Sequence, residues 1–385
     1  MNDLLIGVIG SGGRGSLARH AHHPGEGARV VACCDVRPEQ FERDRSNYGD
    51  DVFTTNDYRA LLARDLDAVF VTAPDYLHEE LAVAALESGK AVYLEKPIAI
   101  TIDGADRVLA TAARRKGLLY LGHNMRHMDF VLQMKELIDT GVIGEVKACW
   151  CRHFVGHGGD FYFKDWHSDR RNTTGLLLQK AAHDIDVMHW LCGAYSARVN
   201  AMGGLTLYGR IPSRRKEGEP MSAHCDPNNW PPLSQTGLSP VIDVEDVSMM
   251  QMELANGVFA AYQQCHYTPD YWRNYTVIGT EGRIENFGDT QQSAVIRLWN
   301  RRCDYNADGD AVYPCGGKAE MHGGADPRIV GEFLACVRGE GAPSTSPVAA
   351  RYSVAAGCCA TASLRNRGVP IDVPVLDPEV GVYFG

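Results

Sequence analysis

The stretch LLLQKAAHDIDVMHW, Leu176 to Trp190, is an apolar run interrupted by Lys180, His183, Asp184, Asp186 and His189. On a helix, Lys180 and His183 share one face, which Val187 continues. Gln179 and Asp186 flank His183 at i−4 and i+3. Burying an unpaired ammonium is costly, so Lys180 needs a partner or a cleft. One reading is an anchoring lysine paired with a nearby carboxylate. The other is a substrate contact, in which Lys180 binds hydroxyls or a negative group and His183 moves a proton. Histidine, with a pKa near ~6.5, suits proton transfer at neutral pH. His189, beside Trp190, reads as structural.

The preceding segment, HFVGHGGDFYFKDWHSDRRNTTG, supplies His157, Asp160, Tyr162, Lys164, Trp166, His167, Arg170 and Arg171. Aromatic rings mixed with donors and acceptors suit sugar recognition, where C–H faces stack and hydroxyls bond. A polar surface loop has the same composition. Asn124 and Arg126, just past a short apolar run, are further substrate candidates, with Tyr267, Tyr271 and His322 behind them.

A second constellation lies at the N-terminus. GVIGSGGRGS contains Gly10-x-Gly12-x-x-Gly15, following an apolar strand and opening a helix. Such glycines permit a tight turn, close approach to a pyrophosphate and close strand–helix packing. The helix N-terminus adds amides and about half a positive charge. Arg14 stands inside the turn and counts with the cofactor contacts. Asp35, twenty residues past Gly15, ends the second strand. A carboxylate there accepts from ribose hydroxyls and repels a 2′-phosphate, which favours NAD over NADP. Arg37 is the counter-signal, because an arginine accommodates that phosphate.

The elements that must position these residues follow from periodicity. Residues 4–9, 29–34, 67–72, 90–94 and 118–122 are short apolar runs that fit strands buried on both faces. Helical patterns at 14–22, 37–47, 57–64, 78–88 and 102–116 lie between them. That alternation predicts a doubly wound parallel Rossmann sheet over residues 1–123. Residues 124–385 then predict an α+β domain with an open, mainly antiparallel sheet and one buried helix over 175–192. Asn256-Gly257 and Glu281-Gly282 are its hairpin turns. Residues 208–243, rich in Pro, Ser and charge, form a long excursion in which Trp230 packs. The last helices close the chain and can pack back on the first domain.

Composition narrows the function. The chain has 385 residues and a formal net charge of −10, which argues against generic nucleic-acid binding. No run of about 18 apolar residues predicts a membrane span. MNDLLIGVIGSGGRG lacks signal-peptide features, so a cytoplasmic location is expected. The 12 cysteines are scattered without zinc or redox spacing, so no metal is expected.

Glu95-Lys96-Pro97, TAPDYLHEELAVAALESGK, the glycine turn, HDID, IGTEGRIE and HGGADP together resemble the Gfo/Idh/MocA oxidoreductase family over nearly the whole chain. The resemblance implies a Rossmann domain followed by an open mixed sheet. It implies a sugar or polyol substrate lying between nicotinamide and sheet domain, and a homodimer or homotetramer. Lys96 matches the family's active-site lysine and His183 its catalytic histidine. Pro74 and His78 then lie along the cofactor, with Glu95 near the ribose or nicotinamide. The chain departs from the pattern at Gln179, where many members carry aspartate. Glutamine orients a hydroxyl but takes no proton, so the base is left open between Lys96 and His183, with Lys180 as a third catalytic candidate.

The leading expectation is an NAD-dependent dehydrogenase acting on a secondary alcohol of a sugar, polyol or sugar derivative. A glycosidase using NAD transiently (oxidation, elimination, hydration, re-reduction) is a second. A non-enzymatic NAD-binding regulator is a third. No nucleic-acid or membrane partner is expected.

Overall fold

The computed structural model describes residues 2–221, 230–290, 292–316 and 321–385. Six short strands open the chain: Leu4–Ile9 (β1), Ala28–Cys34 (β2), Phe53–Thr55 (β3), Ala68–Val71 (β4), Ala91–Leu94 (β5) and Leu119–Leu121 (β6). They form one parallel sheet in the order β3-β2-β1-β4-β5-β6. Ala68–Val71 is buried at every position, as a strand covered on both faces must be. Sequence periodicity misses β3, because a half-buried three-residue edge strand has no apolar run. The expected first helix is a 3₁₀ helix, Gly13–Ala21, whose turn begins with Gly15 N–H donating to Gly12 O at 2.7 Å.

By its internal contacts, this unit comprises Met1–His127, Ala325–Val354 and Val375–Gly385. The late helix Ala325–Val337 brings Phe333 against Phe70, Tyr93 and Tyr120, with ring centroids 5.3–5.6 Å apart. That aromatic cluster is the centre of its core.

The second unit comprises Met128–Gly324 and Ala355–Pro374. Its strands are Val146–Val155 (β7), Ser196–Gly204 (β8), Val247–Leu254 (β9), Phe259–Cys265 (β10), Tyr271–Gly279 (β11), Arg283–Phe287 (β12), Val295–Trp299 (β13), Ala311–Pro314 (β14) and Ile371–Asp372 (β15). The sheet order is β14-β13-β12-β11-β7-β10-β9-β8-β15. Every neighbouring pair is antiparallel except β7 with β10. Both expected hairpins form. Gly257, at φ +82°, turns β9 into β10, and Gly279 N–H donates to Gly282 O where β11 turns into β12. Strand β9 alternates buried and exposed positions, so the sheet has one covered and one open face. Trp150, Met202, Met249 and Phe259 are exposed on the open one.

The expected continuous helix over 175–192 is two pieces, Leu176–Gln179 and Ala182–Cys192. The Leu176 carbonyl accepts from both Lys180 N–H and Ala181 N–H, at 3.1 and 3.2 Å. The second is an i→i−5 bond, a one-turn π-type widening of the kind found where a functional side chain is re-aimed. Periodicity does not register it, because every residue in the run stays helix-compatible. Within the long excursion, Trp230 is half exposed.

Candidate active site

In the first unit the glycines hold their turn against fixed backbone. A Cβ on Gly10, which has φ +85°, would lie 2.5 Å from Ala73 N, and one on Gly15 would lie 2.4 Å from Gly10 O. Neither space admits a side chain. Asp35, buried at the end of β2, accepts from Gly12 N–H and Arg37 N–H, both at 3.0 Å, and from Arg37 Nε at 3.1 Å. One carboxylate therefore ties the glycine turn to the β2 exit. Arg37 lies back over the turn, so that a Cβ on Gly12 would lie 1.9 Å from its Nη2.

Arg14 is committed elsewhere. Its Nε donates to Glu95 Oε1 at 2.6 Å, and its two terminal nitrogens reach Asp326 at 2.6 and 2.9 Å. Asn124 Nδ2 donates to the same carboxylate at 3.0 Å, and Lys96 N–H to Glu95 Oε2 at 3.0 Å. The turn, the Glu95-Lys96-Pro97 corner, the β6 exit and the returning helix are thereby joined through one guanidinium. Nothing in the sequence paired Arg14 with Asp326, which lies 312 residues away. Lys96 is half-buried. His78 is fully buried, with Nδ1 2.6 Å from Pro97 O and Nε2 2.8 Å from Ala73 O, so it bridges the segments on either side of Pro74 and Lys96. Arg126 is buried and donates to Ser344 O at 3.4 Å.

The second unit places a buried carboxylate at its centre. Asp184 Oδ1 lies 2.7 Å from Arg273 Nε and accepts from the Tyr275 hydroxyl. Its Oδ2 accepts from Tyr262 OH and His153 Nδ1, both at 3.2 Å. Burial alone would raise the Asp184 pKa, but Arg273 and His153 outweigh it and hold the carboxyl below its ordinary range. Burial, reinforced by Arg273, pushes His153 down to about 3 and keeps the ring neutral. Sequence reading missed this group, since its members lie on the helix and on β7, β10 and β11.

Lys180 is half-buried, with Nζ 5.3 Å from the Tyr162 ring centroid. Burial lowers its pKa; Tyr271 and Asp184 oppose that shift and Arg273 reinforces it. Asp184 is already balanced by Arg273, so it offers Lys180 little compensation. An ammonium in this setting gives up a proton more readily than a solvated one. Tyr271 OH accepts from Arg273 Nη1 at 3.0 Å. His183 is half-buried and Gln179 buried, beside the widened turn.

The aromatic segment is not a loop throughout. Gly156–Lys164 is helical, and Tyr162, Trp166 and His167 gather there, with the Trp166 and His167 rings stacked 3.8 Å apart and Tyr162 5.0 Å from His167. The His157 side chain lies outside the described residues. Lys164 pairs with Asp160 at 3.4 Å, while Arg170 and Arg171 pair at the surface with Asp243 and Asp169. Tyr267 OH accepts from Thr206 Oγ1 at 3.2 Å, and His322 adopts φ +56° in a glycine-flanked turn. Among the described residues, no cluster of three or more His, Cys, Asp or Glu is placed to hold a metal ion, and no helix is long and apolar enough to cross a membrane.

A parallel sheet whose first strand ends in a glycine cradle, followed by a mixed open sheet, defines an NAD-binding oxidoreductase architecture. Two family descriptions match: "oxidoreductase family, NAD-binding Rossmann fold" over residues 4–123, and "oxidoreductase family, C-terminal alpha/beta domain" over residues 135–373. The chain belongs to the Gfo/Idh/MocA family.

Among curated relatives, it is 33% identical over 191 residues to an inositol 2-dehydrogenase/D-chiro-inositol 3-dehydrogenase of Shouchella clausii, covering 49% of this chain and 53% of that one. It is 34% identical over 194 residues to the inositol 2-dehydrogenase of Ralstonia nicotianae, covering 49% and 55%. The match thus spans about half the length of these relatives. Two solved structures share the fold at 20% identity. They are a levoglucosan dehydrogenase in complex with NADH and levoglucosan (TM-score 0.77, covering 97% of this chain and 100% of that one) and an oxidoreductase domain protein from Kribbella flavida (TM-score 0.78, covering 97% and 100%).

Proposed function

We propose that this chain is an NAD-dependent dehydrogenase that oxidises a secondary alcohol of a sugar, cyclic polyol or sugar derivative. The observation that carries the reading is Lys180, a half-buried lysine of lowered pKa that feels the charges of the paired Asp184 and Arg273 and lies against the Tyr162 ring. The match to inositol dehydrogenases supports a polyhydroxylated substrate. When bound, NAD supplies the hydride acceptor. The glycine turn and Asp35 hold its phosphates and adenosine ribose, with Arg37, Pro74, Glu95 and Lys96 along its length and Arg14 and His78 bracing the segments that carry them. Removing hydride from a carbinol carbon leaves a hydroxyl proton to be accepted. Lys180 accepts it, with Lys96 and His183 as the alternative bases and Gln179 orienting the hydroxyl. Arg126, Tyr162, Trp166 and His167 contact the remaining hydroxyls. The exposed Trp150, Met202, Met249 and Phe259 support self-association of the open sheet face.

The test incubates purified protein with NAD and panels of cyclitols, sugars and aryl glycosides, following 340 nm absorbance and free aglycone. NADH formed stoichiometrically with oxidised product is expected. Aglycone release without net NADH would replace the dehydrogenase reading with the transient-oxidation glycosidase. Inertness toward every panel would favour a binding role.

Cofactor choice gives a second expected result. Asp35→Ala should weaken NAD binding by roughly tenfold to a hundredfold, the value of a charge-assisted hydrogen bond. It should also improve the relative use of NADP, because Arg37 loses its carboxylate partner. Titrations of both dinucleotides check this, and a wild type that already prefers NADP would overturn the role given to Asp35.

A further inference from the structure

Asn124 sits just beyond β6, at the end of the parallel sheet where dinucleotides bind. The residue is 1% exposed. Asp326 is held by Arg14 and can only accept, so the group of Asn124 that faces it must be the NH2. That settles the amide orientation. The carbonyl Oδ1 points the other way. It is buried and has no hydrogen-bond partner among the described residues. Its neighbours cannot turn to meet it, because Glu95 and Asp326 are themselves acceptors already engaged by Arg14.

The strand order states which part of a dinucleotide passes here. The order reverses between β1 and β4, and Asp35 marks the adenosine side at β2. The other half must cross the ends of β4, β5 and β6. Gly122, two residues before Asn124, keeps that crossing tight, since a Cβ there would lie 3.0 Å from the Glu95 carboxyl carbon. A neutral acceptor in this position repels phosphate and matches an N–H donor. In the nicotinamide half both the ribose hydroxyls and the carboxamide donate, and the carboxamide is the donor farthest from the adenosine side, as β6 is in the sheet order.

We propose that Asn124 reads the nicotinamide carboxamide, its Oδ1 accepting one amide N–H and so fixing which way the ring's amide points. This rests on the NAD reading above. Binding pairs a carbonyl that is otherwise shut away unpaired, after a neighbouring side chain yields to the ring. That exchange gives more discrimination than a solvent-exposed acceptor would.

The test compares dissociation constants of NADH and reduced 3-acetylpyridine adenine dinucleotide, measured by fluorescence without substrate. The analogue replaces the amide NH2 by a methyl and so lacks the donor. Wild type should bind NADH about five- to thirtyfold more tightly. Asn124→Ala should bring the two to near parity, whereas Asn124→Gln, which keeps both an NH2 to donate to Asp326 and an acceptor oxygen, should retain part of the preference. Equal affinities in wild type would overturn the proposal whatever the variants do. So would a preference that survives in Asn124→Ala, which would hand Oδ1 to water or to a substrate hydroxyl. Binding of neither dinucleotide would overturn this assignment and the NAD reading together, while tight NADH binding without discrimination overturns this assignment alone.

Discussion

Lys180→Met should lower turnover on the substrate found by the panel by about 10²–10⁴-fold, the range that a general acid–base group supplies. NADH affinity should not change, because the cofactor's glycine turn and Asp35 lie in the other unit. The companion Lys180→Arg separates two explanations. Arginine keeps the positive charge and stays protonated throughout the accessible pH range. If Lys180 serves only to bind a negative or hydroxyl group, Lys180→Arg should preserve much of kcat. If it moves the proton, both variants should lose kcat to the same degree. The pH profile carries the sign. A base must be deprotonated to accept, so oxidation should accelerate as pH rises through the lysine's pKa, and burial brings that limb below the ordinary lysine range. The limb should vanish in Lys180→Met. Near-wild-type single-turnover hydride transfer in that variant would move the role to Lys96 or His183.

Asp184→Asn should destabilise the second unit by about 3–5 kcal/mol, the cost of leaving the other half of a buried ion pair uncompensated. At roughly 2–4 °C per kcal/mol for a unit of this size, the melting temperature should fall by about 6–20 °C. The effect is this large because Arg273 is buried and the Tyr262, Tyr275 and His153 bonds converge on the same two oxygens. Adding Arg273→Met to Asp184→Asn should recover much of the loss, since it removes the stranded cation. Acid should reveal the same network in the wild type. The folded Asp184 pKa lies below its unfolded value of about 3.9, so its contribution is complete above that pH and fades as pH falls below it. His153 is held neutral, at about 3. Its contribution is complete above the unfolded value of about 6.5 and is lost as pH falls from there toward 3. Denaturant melts between pH 7 and 2 should therefore show stability declining further below about pH 4 in the wild type, with that lower decline missing in Asp184→Asn. A melt of Asp184→Asn indistinguishable from wild type would mean that the network contributes little to folding.

The Rossmann sheet was legible because each of its long strands is a continuous apolar run and each glycine of the turn stands at a fixed offset from β1. Such patterns are local, and burial on both faces writes them into composition. The hairpins at Asn256-Gly257 and Glu281-Gly282 were legible for a similar reason, as a turn needs particular backbone freedom at particular residues. Lys180 and His183 stood out because charge inside an apolar run is expensive and calls for an explanation, whereas Lys96 stood out only through the family resemblance of Glu95-Lys96-Pro97.

What only tertiary structure decided is which charges meet. Arg14 reads as a cofactor contact from its place in the turn, and the fold also sets it between Glu95 and Asp326. Asp184 reads as one polar residue among several on a helix. It becomes the unit's buried anion only when β7, β10 and β11 bring His153, Tyr262, Tyr275 and Arg273 onto it. The widened turn at Lys180 is equally invisible in the residue pattern, because an i→i−5 bond requires no change of residue type. Sequence sets the local preferences and the cost of each buried charge. The long-range pairings that meet that cost depend on which distant strands lie side by side, and no local period encodes them.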